Sequence, residues 1–173
     1  MRRRAFYASA ALLAIAVGAC CSIPTYTPAF WNSNIQIQWD NNCYNYSNNK
    51  RTDTFAQPGR AAGAMYTTLE CNNVRTAAVA DGLVAVAGPN NCPKKECTLA
   101  LVVDPGWDYH WYRRDQNGMW THKPGPTPAT NLDNSGNPIP NPETADRGGY
   151  TDFCGYLCSC SRSTEGNGSE NIN

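Results

Sequence analysis

Asp108-Tyr109-His110-Trp111-Tyr112-Arg113-Arg114-Asp115-Gln116-Asn117-Gly118-Met119-Trp120-Thr121-His122-Lys123 is the stretch on which the reading of this 173-residue chain turns. Aromatic residues on both sides of Asn117-Gly118 make it a β-hairpin, because Asn-Gly favours tight turns and Tyr and Trp favour strands. Each arm carries one of the chain's two histidines. The loop length sets where they point. A two-residue loop pairs Gln116 with Met119, sets His122 opposite Arg113 and sends the imidazoles to opposite faces. A three-residue loop over Gln116–Gly118, with Gly118 left-handed, pairs Asp115 with Met119 and sets His122 opposite Tyr112. Both imidazoles then share one face as diagonal neighbours, about 7–8 Å apart at the backbone. Imidazole moves protons near neutral pH, so a shared face marks a candidate site.

Upstream, Thr98-Leu99-Ala100-Leu101-Val102-Val103 is an apolar run of strand length without alternation, the pattern of a strand buried on both faces. Asp104-Pro105-Gly106 turns it into the hairpin. Leu83–Ala87 is another strand candidate, and the Ala-rich segment Arg60–Asp81 reads as one or two helices ending at Gly82. Ile35-Gln36-Ile37-Gln38-Trp39 alternates apolar and polar residues and predicts a short strand. Asn42 is a good helix N-cap, which places Cys43 in the first turn of a short helix. Residues 124–142 carry six prolines and form a long ordered loop or a flexible flap. The order of strand, helices and antiparallel meander is an α+β pattern.

Met1-Arg2-Arg3-Arg4 followed by an apolar run to Ala19 reads as an export signal, residues 1–19, too short for the ~20 residues of a spanning helix. Arg3-Arg4-Ala5-Phe6-Tyr7 is similar to a twin-arginine signal. Val17-Gly18-Ala19-Cys20 is similar to a lipobox, which would make Cys20 a lipidated N-terminus; an ordinary cut after Ala19 is the alternative. Residues 20–34 are expected to be a tether, 35–161 a single α+β domain and 162–173 a disordered tail. Location follows: periplasm or cell envelope, lipid-anchored or soluble, or secreted. Without Arg2, Arg3 and Arg4 the fourteen basic residues fall to eleven against fourteen acidic, a net charge of −3, which argues against nucleic acid as a partner. A membrane is met only through the N-terminal lipid.

Nine cysteines in an exported chain imply disulfides. With Cys20 acylated, eight remain, so a free Cys43 demands a second unpaired cysteine. Cys92 and Cys97 flank a short loop that a disulfide closes. Cys43 is either a catalytic thiol or half of a disulfide, with Cys71 as a partner. Zinc is not expected, because Cys154, Cys158 and Cys160 lack a matching second pair. Gly59-Arg60-Ala61-Ala62-Gly63 lacks the Lys-Ser/Thr of a phosphate loop. No cofactor is expected.

The order Cys43, His110, His122, with the first two sixty-seven positions apart and a hairpin between the last two, resembles the NlpC-type cell-wall cysteine hydrolases of the papain-like superfamily. The resemblance covers roughly residues 35–125. It departs at the nucleophile, where the family shows Asp-Cys-Ser-Gly and this chain has Asn42-Cys43-Tyr44-Asn45. It implies a papain-like fold and hydrolysis or transfer at an amide bond, with cell-wall peptide as substrate. Cys43 would attack as thiolate, its pKa lowered by the helix start and an imidazolium. His110 would be the base, His122 would orient it, and Gln38 would help hold the oxyanion. Asp108 and Asp133 are reserve orienting residues. A non-catalytic, disulfide-stabilised secreted binding or effector domain is the alternative. Packed or solvated histidines, and aromatic residues that are core or line a groove for sugar or peptide, fit that reading.

Overall fold

A computed structural model describes residues 21–160, 164–165 and 171–173. The expected signal over 1–19 and the lipidation at Cys20 lie outside the described residues. The fold is α+β. Its centre is a five-stranded antiparallel sheet in the order β2-β6-β3-β4-β5, formed by β2 (Val84–Val86), β3 (Cys97–Asp104), β4 (Asp108–Arg114), β5 (Trp120–His122) and β6 (Asp152–Ser159). The apolar run expected to be buried on both faces is the central strand, β3, and Leu99 to Val103 have no exposed surface.

Alternation along these strands builds two cores. Leu99, Leu101, Val103, Tyr109 and Trp111 face one side and pack with Cys43, Tyr44 and Val74 of the helices. Ala100, Val102, Tyr112, Trp120 and Tyr156 face the other and pack beneath Ile139. The helical side comes from α3 (Cys43–Ser47) and α4 (Cys71–Ala80). The segment expected to be helical from Arg60 is helical only from Cys71. Before it, the Asp81 carboxylate accepts from Gly59 N at 2.6 Å and Ala62 N at 3.3 Å, which folds 57–64 into a turn. Gly59 has φ +78°, and a Cβ there would lie 2.2 Å from the Ala64 carbonyl oxygen, so a helix cannot pass through.

The hairpin takes the three-residue register. Asp115 N donates to Met119 O at 2.9 Å, Gly118 has φ +82°, and Tyr112 pairs with His122. The Pro-rich segment is an ordered loop against the outer edge of β5, where Trp120 N donates to Ile139 O and His122 exchanges backbone hydrogen bonds with Thr130. It covers an edge that would otherwise present unpaired backbone groups.

Several expectations are corrected. Ile35–Asp40 is a helix, α2, not a strand. Asn34 caps its start through Gln36 N, and Lys123 Nζ meets the Gln38 and Asn41 carbonyls at its end. Satisfied end groups outweigh a two-residue periodicity in so short a segment. The stretch read as a tether contains α1 (Pro28–Asn32), whose Trp31 is fully buried against Tyr46 with ring centroids 5.2 Å apart. In the stretch read as a disordered tail, β7 (Thr164–Glu165) pairs with β1 (Lys50–Arg51), and Ile172 sits in the helical-side core.

Among the described residues the disulfides are Cys21–Cys160, Cys71–Cys154 and Cys92–Cys158. The expected Cys92–Cys97 bridge does not form, and Cys97 is a buried thiol. The reason lies in strand register. Thr98 pairs with Cys158, so Cys158 shares a face with Thr98 and meets Cys92 there, while Cys97 points the other way into the core. Cys71 is taken by Cys154, which leaves Cys43 as the second thiol that parity required.

Candidate functional site

Asn42 and Asn45 form a capping box at the start of α3: the Asn42 side chain accepts from Tyr44 N and Asn45 N, and the Asn45 side chain accepts from Asn42 N. This fixes Cys43 as the first helical residue, packed on β4. Across from it, His110 Nε2 and His122 Nδ1 are 2.8 Å apart, and His122 Nε2 lies 2.8 Å from Leu132 O. A carbonyl only accepts, so His122 carries its proton on Nε2. His122 Nδ1 is then an acceptor, and His110 donates to it from Nε2. His110 Nδ1 is left as the unprotonated nitrogen. The chain of donors runs one way, from His110 through His122 to the Leu132 carbonyl.

Both rings are held by aromatic contacts. His122 stacks on Tyr112 with centroids 4.9 Å apart, and His110 meets Tyr112 edge-on at 5.1 Å. Burial drives both imidazoles toward the neutral form: His110 titrates well below the usual histidine range, from desolvation first and the neighbouring His122 second, and His122 is lowered by desolvation.

Cys43 and His110 line one cleft of about 270 Å³, together with Asp108. Among the described residues no hydrogen bond joins Cys43 Sγ to His110. Burial pushes the Cys43 thiol up to about 12, with the Asp108 carboxylate adding to the rise. This reverses the expected depression. The helix is five residues long, His110 is neutral rather than an imidazolium, and desolvation outweighs both the backbone hydrogen bonds and the nearby Lys123 charge. At neutral pH the sulfur is a buried thiol.

Gln38 does not join this group. Its side-chain amide donates to Asn32 O at 3.0 Å. Of the reserve residues, Asp108 lines the Cys43 cleft, where it accepts from Tyr150 OH at 2.7 Å, whereas Asp133 lines a second cleft of about 350 Å³ that both histidines also line. Sequence reading missed Lys123, which is buried with Nζ donating to the Gln38, Asn41 and Gly125 carbonyls. It also missed Gln57, whose Oε1 accepts from both Tyr66 OH and Tyr109 OH at 2.9 and 2.8 Å. No motif marks either residue, since their roles depend on segments distant in sequence.

The chain is 52% identical over 132 residues to Insoluble matrix shell protein 1 of Ruditapes philippinarum, a match spanning 76% of this chain and 87% of that protein. No family profile matches the chain, and no solved structure matches it. The relative is a matrix shell protein, and this overturns the expectation of a cysteine hydrolase or transferase acting on cell-wall peptide. The buried, high-pKa thiol agrees with the correction.

Proposed function

Because the chain belongs to the family of Insoluble matrix shell protein 1, we propose that it is a secreted, non-catalytic structural component of an extracellular matrix. The observation that carries this reading is the 52% identity over 87% of that relative. Two physical features support it. Three disulfides suit an oxidising, extracellular setting. Among the described residues, the thiol that shares a cleft with a histidine, Cys43, is held in its unreactive form. The placement of Cys43 at the start of α3 against the strand of His110 supports a papain-like arrangement of the scaffold, and the resemblance to the NlpC-type proteins is read as one of scaffold only.

The reading predicts where the protein ends up. Cells that secrete it should leave it in the extracellular fraction that resists extraction by salt and non-ionic detergent, and Cys43→Ala should partition in the same way. Recovery of the wild-type protein wholly in the soluble medium would defeat the matrix assignment.

A further inference from the structure

The Cys43 cleft has a one-sided hydrogen-bonding character. His110 Nδ1 is an acceptor, because His110 Nε2 donates to His122. Asp108 is a carboxylate whose two oxygens receive Tyr150 OH and Tyr109 N, each at 2.7–2.8 Å, with further lone pairs left over. Tyr66 and Tyr109 give their hydroxyl protons to Gln57 Oε1, which leaves both phenolic oxygens as acceptors. Gln57 Nε2 donates to Phe55 O, and Asn42 Nδ2 to Ala56 O. The lining therefore offers acceptors, one negative charge and the rings of Phe55, Tyr66, Tyr109 and Tyr150, and its donors are uncharged: the weak Cys43 S–H and the second N–H of the Asn42 and Gln57 amides.

Two cations stand nearby, and both are turned away. Lys123 Nζ is held by three carbonyls, and Arg60 gives Nε and Nη2 to the carbonyls of Asn173, Thr54 and Phe55. Neither lines the cleft. An anion would find no charged donor there. A guanidinium or ammonium has only donors, carries the complementary charge, and is attracted to the faces of tyrosine and phenylalanine. The volume of about 270 Å³ suits a headgroup rather than a large ligand.

We propose that this cleft binds an organic cation, a guanidinium or primary-ammonium headgroup, seated on Asp108, His110 and the surrounding aromatic rings. Such headgroups are carried by arginine and lysine side chains and by free amines. The proposal does not depend on the matrix reading and fails separately from it.

The test is a titration of the full oxidised protein, followed by tyrosine and histidine ring NMR shifts. Methylguanidinium and n-butylammonium are compared with their neutral counterparts methylurea and n-butanol. The cations should give saturable shifts at residues lining the cleft and bind about tenfold tighter than the neutral compounds, an advantage that charge and ring contact together supply. Asp108→Asn, nearly isosteric, should weaken cation binding about fivefold or more while leaving the weak neutral binding unchanged. An N-acetyl-Gly-Arg-Gly-amide binding tighter than methylguanidinium assigns the headgroup to a peptide side chain, and the reverse order assigns it to a free amine. Equal binding of charged and neutral probes overturns the proposal, as does the absence of saturable shifts. Both outcomes are read on the wild-type protein, so the folding of the variant does not decide the matter.

Discussion

The two ends of the β4–β5 hairpin hold buried polar groups in opposite ways. At the turn end, Arg113 has no exposed surface, and its hydrogen bonds close within the fold: Nε to Asp115 at 2.8 Å, Nη1 to Tyr46 O and Asn49, Nη2 to Tyr46 OH and Thr25 O. Asp115 in turn accepts from Thr121 Oγ1 at 2.7 Å, and the guanidinium lies over the Tyr46 ring at 4.1 Å. At the far end, the histidine chain starts from a lone pair on His110 Nδ1 and leads to a cleft. The difference separates a polar cluster that closes on itself from one that keeps an unmatched acceptor on a residue lining a cavity. Closed clusters hold a fold together, and open ones are where ligands are met.

The largest effect should come from breaking the closed end. Arg113→Ala leaves the Asp115 carboxylate buried without its partner and should cost about 3–5 kcal/mol in urea unfolding. A loss under 1 kcal/mol would mean that water already reaches this cluster. At the open end, Lys123→Met removes a donor from three carbonyls, two of them at the end of α2, and should cost about 1–3 kcal/mol by the same measurement. If it stabilised the fold instead, the three carbonyls would have to be satisfied by solvent.

A smaller effect should appear as a slope. The histidines have folded pKa values lowered from 6.5, so the unfolded chain takes up protons before the folded one does. Their contribution is full above pH 6.5 and is lost as pH falls below it toward the folded values. Unfolding free energy measured from pH 7.5 to 5.5 should decline in the wild type and be flatter in the His110→Gln/His122→Gln double variant. Parallel slopes would show that the pair is solvated. The smallest effect is chemical. Native protein treated with iodoacetamide at pH 8 should leave Cys43 unmodified, because its pKa of about 12 keeps it protonated and buried. Rapid labelling would reopen the contrast between the two ends.

Much of this hairpin was legible in the sequence. Asn117-Gly118 and the aromatic flanks announce the turn, and the choice of register was reducible to one condition on Gln116–Gly118. Asn42 likewise announces the helix that presents Cys43. The depth of burial was not legible, because it comes from Tyr44, Trp111 and Tyr66 converging from separate segments. That depth decides the ionisation of Cys43 and His110, so residue order conveyed an arrangement without its reactivity. Disulfide pairing failed for a related reason: Cys92 and Cys97 are close in sequence, but strand register turns Cys97 inward. The short alternating stretch at Ile35 misled because six residues carry too little periodicity to outweigh their end contacts.

The Cys21–Cys160 bond spans 139 positions and encloses the other two disulfides. A protease that cuts any peptide bond between Cys21 and Cys160 therefore releases no fragment by that single cut. Both pieces stay in one covalent molecule until a reductant opens the bridges, and a nicked chain should run as two bands only on a reducing gel.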